Sequence, residues 1–170
     1  MPLWKDGAFV EDEWTVVGDE DPVPADGPAF VSLKRWRAER EALSSRDAAI
    51  GIVLLPDSEW GDVIADLPRF PAIAISFPKF MDGRGFSLAR LLRDRDGFKG
   101  EIRAVGEFTI DQMPLMRRVG FDSFLVVDDN VRAGLLRGVW PEVPQYLQPI
   151  DADREAPAGK RPWARRPADS

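Results

Sequence analysis

The stretch AIAISFPKFMDGRGFSLARLLRD, residues 72–94, decides the fold class. Its first six residues form a continuous apolar run, which predicts a buried strand. Residues 88–94 place apolar side chains at helical spacing, which predicts an amphipathic helix. The loop between them carries two glycines, two cations and a serine. A strand, a glycine-bearing loop and a helix in this order are typical of an α/β unit whose loop amides and helix N-terminus face one point.

The alternation of strands and helices continues on both sides of this unit. Further apolar runs predict strands over residues 49–55, 102–105 and 124–127, and helices are predicted over residues 31–43, 60–67, 110–119 and 131–139. Strands that are apolar on both faces and alternate with helices predict right-handed βαβ units. We therefore expect an α/β fold with a parallel sheet of at least four βα units. Four units cannot close a regular eight-stranded barrel, so the sheet is open or forms a partial TIM-like barrel.

The two ends of the chain differ from this central pattern. Asp6-Gly7 between apolar residues predicts a small N-terminal β-hairpin, and an acidic loop rich in proline and glycine follows it within residues 1–30. Residues 1–150 are expected to form a single domain. The Pro- and Arg-rich tail, residues 151–170, has few apolar groups, which predicts a mobile segment. Its arginines and Trp163 leave the alternative that it docks on a partner.

Composition excludes several classes of chemistry. The 170 residues include no histidine and no cysteine. The chain therefore supplies no Ser-His-Asp or Cys-His nucleophile, no disulfide and no ligands of its own for haem, an iron–sulfur cluster or zinc of the usual kinds. The net charge of −6 argues against a general nucleic-acid binder. No apolar run reaches the length of a membrane span, and residues 1–6 lack a signal-peptide pattern, so we expect a cytoplasmic protein.

Side chains at the carboxyl ends of the predicted strands form the candidate site, because ligands of parallel α/β folds bind there. The anion-binding hypothesis names Lys79, Asp82, Gly83, Arg84, Gly85, Ser87 and Arg103 as ligand-binding residues. Glu107 and Asp128 are the candidate catalytic acid–base groups. The alternative for Ser87 is an ordinary helix N-cap, and for the glycines a tight turn. Asp128-Asp129-Asn130 is assigned to capping of the next helix, by Asn130, and not to a metal site.

A capping box is predicted at Thr109, with Gln112 three residues later. Pro114 opposes a helix that begins there, because a proline at the fifth helical position removes a backbone hydrogen bond. The helix is therefore expected to begin one turn later or to bend.

Specific blocks of the chain resemble a known family. These are DGRGFSLARLLRDRDGFKGEIRAVGEFTIDQ at residues 82–112, RVGFDSF at 118–124, KDGAFVEDEW near the N-terminus, SLKRW at 32–36 and the FPKFMDGRGFS loop. They are similar to a bacterial family of unknown function that is described as a probable oxidoreductase involved in sulfite reduction. Genes of that family commonly lie beside sulfite reductase. The resemblance implies a role in sulfate assimilation, and it carries no catalytic residue or cofactor. Glu107 and Met113-Pro114 depart from the family's pattern.

We accordingly expect an accessory protein of assimilatory sulfite reduction that binds a small anion or phosphorylated ligand and acts with sulfite reductase. The alternatives are an acid–base enzyme acting on a phosphorylated or flavin-type ligand, and a pure protein-interaction module. Because an open parallel sheet leaves unpaired edges, a homodimer or a complex with a sulfur-assimilation protein is also expected.

Overall fold

A computed structural model describes residues 2–78, 83–141, 145, 147 and 155–167, with side chains 162 and 167 left out. One eight-stranded sheet dominates it, and a second sheet has two strands. The strands are β1 Leu3–Lys5, β2 Ala8–Val10, β3 Thr15–Val16, β4 Ala29–Ser32, β5 Ile50–Leu54, β6 Ala72–Phe77, β7 Glu101–Gly106, β8 Ser123–Leu125, β9 Glu155–Ala158 and β10 Arg161–Pro167. The α-helices are α1 Leu33–Ser44, α2 Arg84–Asp94, α3 Met113–Arg118 and α4 Asp129–Leu136, and Gly61–Arg69 is a 3₁₀ helix.

The large sheet is mostly parallel, as expected. Its order is β2-β1-β8-β7-β6-β5-β4-β3, and the six strands β3 to β8 run parallel to their neighbours. From β3 to β8, strands consecutive in the chain are adjacent in the sheet. The predicted N-terminal hairpin is β1–β2, and β1 pairs antiparallel with β8.

The sheet is curled into a half-barrel, and the short connection between β2 and β3 requires this curvature. β2 and β3 lie at opposite edges of the eight strands, yet only residues 11–14 join them. A flat sheet would separate these edges by about 34 Å, at about 4.8 Å for each strand spacing. Five Cα steps of about 3.8 Å cover at most about 19 Å. The edges must therefore approach each other, with residues 11–14 crossing the inner face as a strap.

The helices pack on the outer face of this half-barrel. Strand residues Ile52, Ile73, Ile75 and Ile102 share one core cluster with Trp36 of α1, Leu92 of α2, Met116 of α3 and Leu135 of α4. The alternate residues Phe30, Ala72 and Ala74 face the other way and pack with Trp14 of the strap. Right-handed crossovers between adjacent strands place all helices on the same side, which explains this division.

Several element boundaries differ from the sequence prediction. β4 occupies residues 29–32, where the helix of residues 31–43 was expected to begin, and Ser32 caps α1 by accepting a hydrogen bond from the Arg35 amide. α3 begins at Met113 with Pro114 in its first turn, the later start that the proline favoured. The Gln112 side chain accepts from the Thr109 amide, whereas the buried Thr109 hydroxyl has no partner, so only half of the capping box forms.

The C-terminal tail contains two strands that the sequence did not predict. Within residues 151–170, for which a mobile tail was predicted, β9 and β10 pair antiparallel over residues 155–167. Arg118 at the end of α3 donates to the Glu155 carboxylate at 2.7 Å, and the Glu155 side chain is only 3% exposed. A buried ion pair and buried alanines at 158 and 164 supply the contacts that the tail's low apolar content did not predict.

Candidate functional site

The N-terminus of α2 lies at the carboxyl end of β6. Gly83 is its N-cap residue and makes no side-chain capping bond. The first amides of any helix lack intrahelical acceptors, so this end offers donors and a partial positive charge. Gly83 is exposed, and a Cβ placed on it would meet no atom of the described residues within 4 Å.

Gly85 has a different role from Gly83. A Cβ on Gly85 would lie 2.6 Å from two atoms of the Phe77 ring, which is itself fully buried. Gly85 therefore allows the first turn of α2 to pack directly on the last residue of β6. Ser87 lies inside this first turn, so it is not the N-cap that the alternative interpretation proposed.

Glu107 lies next to this helix end. β6 and β7 pair in register so that Phe77 faces Gly106, and the Glu107 amide donates to the Phe77 carbonyl at 2.8 Å. Gly106 has φ +111°, and a Cβ there would meet the Phe77 carbonyl oxygen at 2.3 Å, so this close approach requires glycine. The exposed Glu107 side chain is thereby placed at the same sheet edge as α2.

Asp128 occupies the corresponding position after β8. Its carboxylate accepts hydrogen bonds from the amides of Asn130 and Val131, at 2.7 and 3.0 Å. Asp128, and not Asn130 as predicted, is thus the N-cap of α4. Both amides bond to Oδ1, so the cap fixes the orientation of the Asp128 carboxylate, and its Oδ2 takes no part in these two hydrogen bonds.

Arg103 lies apart from the other predicted ligand-binding residues. It points to the inner face of the half-barrel, is 3% exposed, and lies over the Phe30 ring at 5.2 Å. Its guanidinium donates to Asp12 at 2.7 Å and to Glu101 at 3.0 Å. An anion could reach this group only by displacing the strap. Lys79 and Asp82, also predicted to bind the ligand, lie outside the described residues.

The inner face holds a charge cluster that sequence reasoning did not identify. Glu101 accepts from Lys5 at 2.6 Å and from Ser123 at 2.7 Å, in addition to its pairing with Arg103. Burial would raise the pKa of Glu101, but these hydrogen bonds and the nearby cations outweigh burial and hold its pKa below the ordinary value. The same hydrogen bond raises the pKa of Lys5. The spacing of Glu101 and Arg103, two residues apart in a strand, was the available signal that both face one side.

The carboxyl edge of the sheet brings several of the predicted site residues together. Because β6, β7 and β8 are adjacent, the edge brings together the start of α2, the Glu107 loop and Asp128. Arg84 and Ser87 of α2 are exposed there. Within the described ranges, no group of three or more acidic side chains is placed to hold a metal ion. The helices of those ranges include none long and apolar enough to cross a bilayer.

Comparison with known proteins yields one finding. The model of a bacterial protein family of unknown function, DUF934, matches residues 51–156, from β5 to β9. The match includes α2, Glu107 and Asp128 and leaves the strap outside. No curated protein and no solved structure matches this chain.

Proposed function

We propose that this chain, which belongs to the bacterial DUF934 family of unknown function, is an accessory protein of assimilatory sulfite reduction. In this proposal it binds a small anion or a phosphorylated ligand at the N-terminus of α2 and acts with sulfite reductase. The observation that carries the proposal is the exposed Gly83 at the N-cap of an eleven-residue helix, which begins at the carboxyl end of a parallel strand. Helix N-termini in this position bind anionic groups in many α/β folds.

The link to sulfite reduction rests on the resemblance of residues 82–112 and 118–124. Chemistry supports an auxiliary role, since a chain without histidine or cysteine offers none of the usual ligands for the haem and iron–sulfur centres of electron transfer. Binding or delivering an anion needs only amides and cations, and the start of α2 contains both.

A growth experiment tests the proposed function. Deletion of the gene should impair growth on sulfate or sulfite and leave growth on cysteine unchanged. Complementation with Arg84→Ala should fail, because a methyl group cannot replace the fork of donors that arginine presents to an anion. Arg95→Ala is the matched control, because the exposed Arg95 pairs with Asp96 at the far end of α2. Growth of the deletion strain on sulfite at the wild-type rate would contradict the proposal.

Binding can be tested on the same variants. Titration with sulfate or phosphate should shift the amide resonances of Gly83, Gly85 and Ser87 in the wild type and leave those of the Arg84→Ala variant nearly unchanged. Amide shifts confined to other parts of the chain would place the anion elsewhere.

A second candidate function is acid–base catalysis by Glu107. Both candidate carboxylates are exposed, but Glu107 lies beside α2, whereas the Asp128 carboxylate caps α4. Glu107→Gln distinguishes the two functions, because the amide keeps the shape of the side chain and cannot exchange a proton. An accessory binding protein should complement growth with this variant, and an enzyme should not.

A further inference from the structure

The C-terminal hairpin β9–β10 has one face turned to the body of the protein. Ala158 and Ala164 are 8% and 3% exposed, and the Arg118–Glu155 ion pair ties the hairpin to the end of α3. Since Glu155 is the only carboxylate in residues 155–167, its pairing leaves the other side of the hairpin purely cationic. The hairpin is thus held in place by contacts that use none of its exposed groups.

The outer side carries cations around an exposed tryptophan. Lys160, Arg161 and Arg166 are exposed, and Trp163 is 63% exposed. The strand register shifts between Arg161 and Arg165, so the residues between them bulge out of the pairing. Bulges change the direction in which side chains project, and this bulge contains Trp163, which lies between Arg161 and Arg165 in the chain. Tryptophan and arginine are the residue types most enriched where protein interfaces concentrate their binding energy.

A complementary surface exists on the same chain. Residues 19–26 carry four exposed carboxylates, from Asp19, Glu20, Asp21 and Asp26, interleaved with exposed prolines at 22 and 24. Val16 of the edge strand β3, just before this segment, is 61% exposed. Carboxylates match the hairpin's arginines, and the prolines and valine offer an apolar surface for an indole ring.

We propose that the hairpin of one copy docks on residues 19–26 of a second copy. The hairpin lies on α3, which joins β7 to β8, whereas the acidic segment leads into β4 at the other side of the half-barrel. A twofold dimer can therefore form this contact twice, with each copy giving its hairpin and receiving its partner's. This inference does not depend on the proposed function, because neither surface includes α2 or Glu107.

A nucleic acid is the less favoured occupant of the hairpin. Its phosphates would also meet the exposed acidic segment and a chain of net charge −6, and polyanion binding requires a clustered excess of cations. The carboxylates of the acidic segment favour binding only when the partner carries cations, as a second copy of this chain does.

Light scattering during size-exclusion chromatography of the full chain tests the proposal. The wild type should be a dimer at low salt and should dissociate as salt screens the charges. A hairpin variant, Arg161→Glu with Arg166→Glu, and a segment variant, Glu20→Lys with Asp26→Lys, should each be monomeric at the same concentration. Mixing the two variants should restore a dimer, because the unchanged hairpin of the segment variant then meets the unchanged acidic segment of the hairpin variant. Trp163→Ala should weaken dimerisation about tenfold.

The control variant reverses two exposed cations on another element, Arg132→Glu with Arg137→Glu on and after α4, and should remain dimeric. Circular dichroism verifies that each variant is folded. A wild type that is monomeric at low salt overturns the proposal, and so does a dimer that both variants leave intact or a mixture that stays monomeric. Binding of single-stranded DNA through the hairpin by a monomeric wild type would likewise overturn it and assign the cations to nucleic acid.

Discussion

At the scale of single residues, the ionic cluster on the inner face is the feature with the clearest energetic consequence. Arg103 is a buried cation whose charge is balanced by Asp12 and Glu101. Buried ion pairs are costly to break, because the remaining partner stays desolvated without compensation. Glu101 is the centre of the cluster, since Lys5, Arg103 and Ser123 all donate to its carboxylate.

Replacing Glu101 should therefore change both the stability and its dependence on pH. Glu101→Gln should lower the free energy of unfolding by about 3 kcal/mol at pH 7, because Arg103 and Lys5 lose their shared anion. The folded-state pKa of Glu101 is depressed, so its stabilisation is complete above the unfolded pKa of about 4.3 and disappears as pH falls through the folded pKa. Urea unfolding between pH 7 and 3 should show that the free energy of unfolding falls steeply with decreasing pH in the wild type and less steeply in the variant.

The exposed Glu41→Gln on α1 is the matched control for Glu101→Gln and should change the free energy of unfolding by less than about 0.5 kcal/mol. If the free energy of unfolding decreased equally with falling pH in the wild type and in Glu101→Gln, protonation of Glu101 would not be the cause of the acid destabilisation.

At the scale of elements, the two glycines at the junction of β6 and α2 have different roles, although the sequence presents them as one motif. Gly85 packs against the Phe77 ring, whereas Gly83 faces open space with φ −68°, which any residue can adopt. Gly85→Ala should lower the free energy of unfolding by about 1–3 kcal/mol, the usual range for overpacking a core. Gly83→Ala at the same junction should leave stability within about 0.5 kcal/mol of the wild type.

Thermal or urea denaturation of the two alanine variants measures this difference. An equal loss of stability in both variants would indicate that the folded protein does not accommodate a side chain at Gly83 either. A Gly83→Ala variant that is stable but binds sulfate more weakly would support the anion site at α2, because the added methyl group would then obstruct the ligand alone.

At the scale of the whole molecule, the strap of residues 11–14 closes the half-barrel on its inner face. Trp14 stacks on Phe30 of β4 with the rings 4.3 Å apart, and Asp12 reaches Arg103 of β7. The strap thus ties the two sides of the curled sheet together with one aromatic contact and one ion pair.

Trp14→Ala should lower the free energy of unfolding by about 3 kcal/mol, because it removes a partly buried indole from the inner face. Trp163→Ala provides the control, since its indole is 63% exposed and its loss should cost less than about 0.5 kcal/mol in the monomer. Urea unfolding followed by circular dichroism measures both variants. A Trp14→Ala variant as stable as Trp163→Ala would mean that the strap is not needed to close the half-barrel.

The sequence by itself determined the elements whose signals are local. β6 was predicted with its observed bounds, residues 72–77, because a continuous apolar run needs no knowledge of distant residues. The parallel arrangement followed from helices alternating with such runs, and the β1–β2 hairpin followed from Asp6-Gly7. At the candidate site, the same reasoning predicted that the segment before the helix, Glu107 and Asp128 lie at one sheet edge, although it began the helix at residue 88 and not at Arg84.

Only the tertiary structure decided the rest, because those features depend on residues far apart in the chain. Asp12 and Arg103 are 91 positions apart, and nothing in either neighbourhood indicates that they pair. The short strands β3 and β4 are stable only beside their neighbours, so residues 31–32 of β4 were assigned to the following helix. The first turn of α2, which begins at Arg84, packs through Gly85 on the Phe77 ring. β9 is held by the ion pair between Glu155 and Arg118. Local patterns report how a segment can fold, whereas curvature, buried ion pairs and helix starts are set by what packs against that segment.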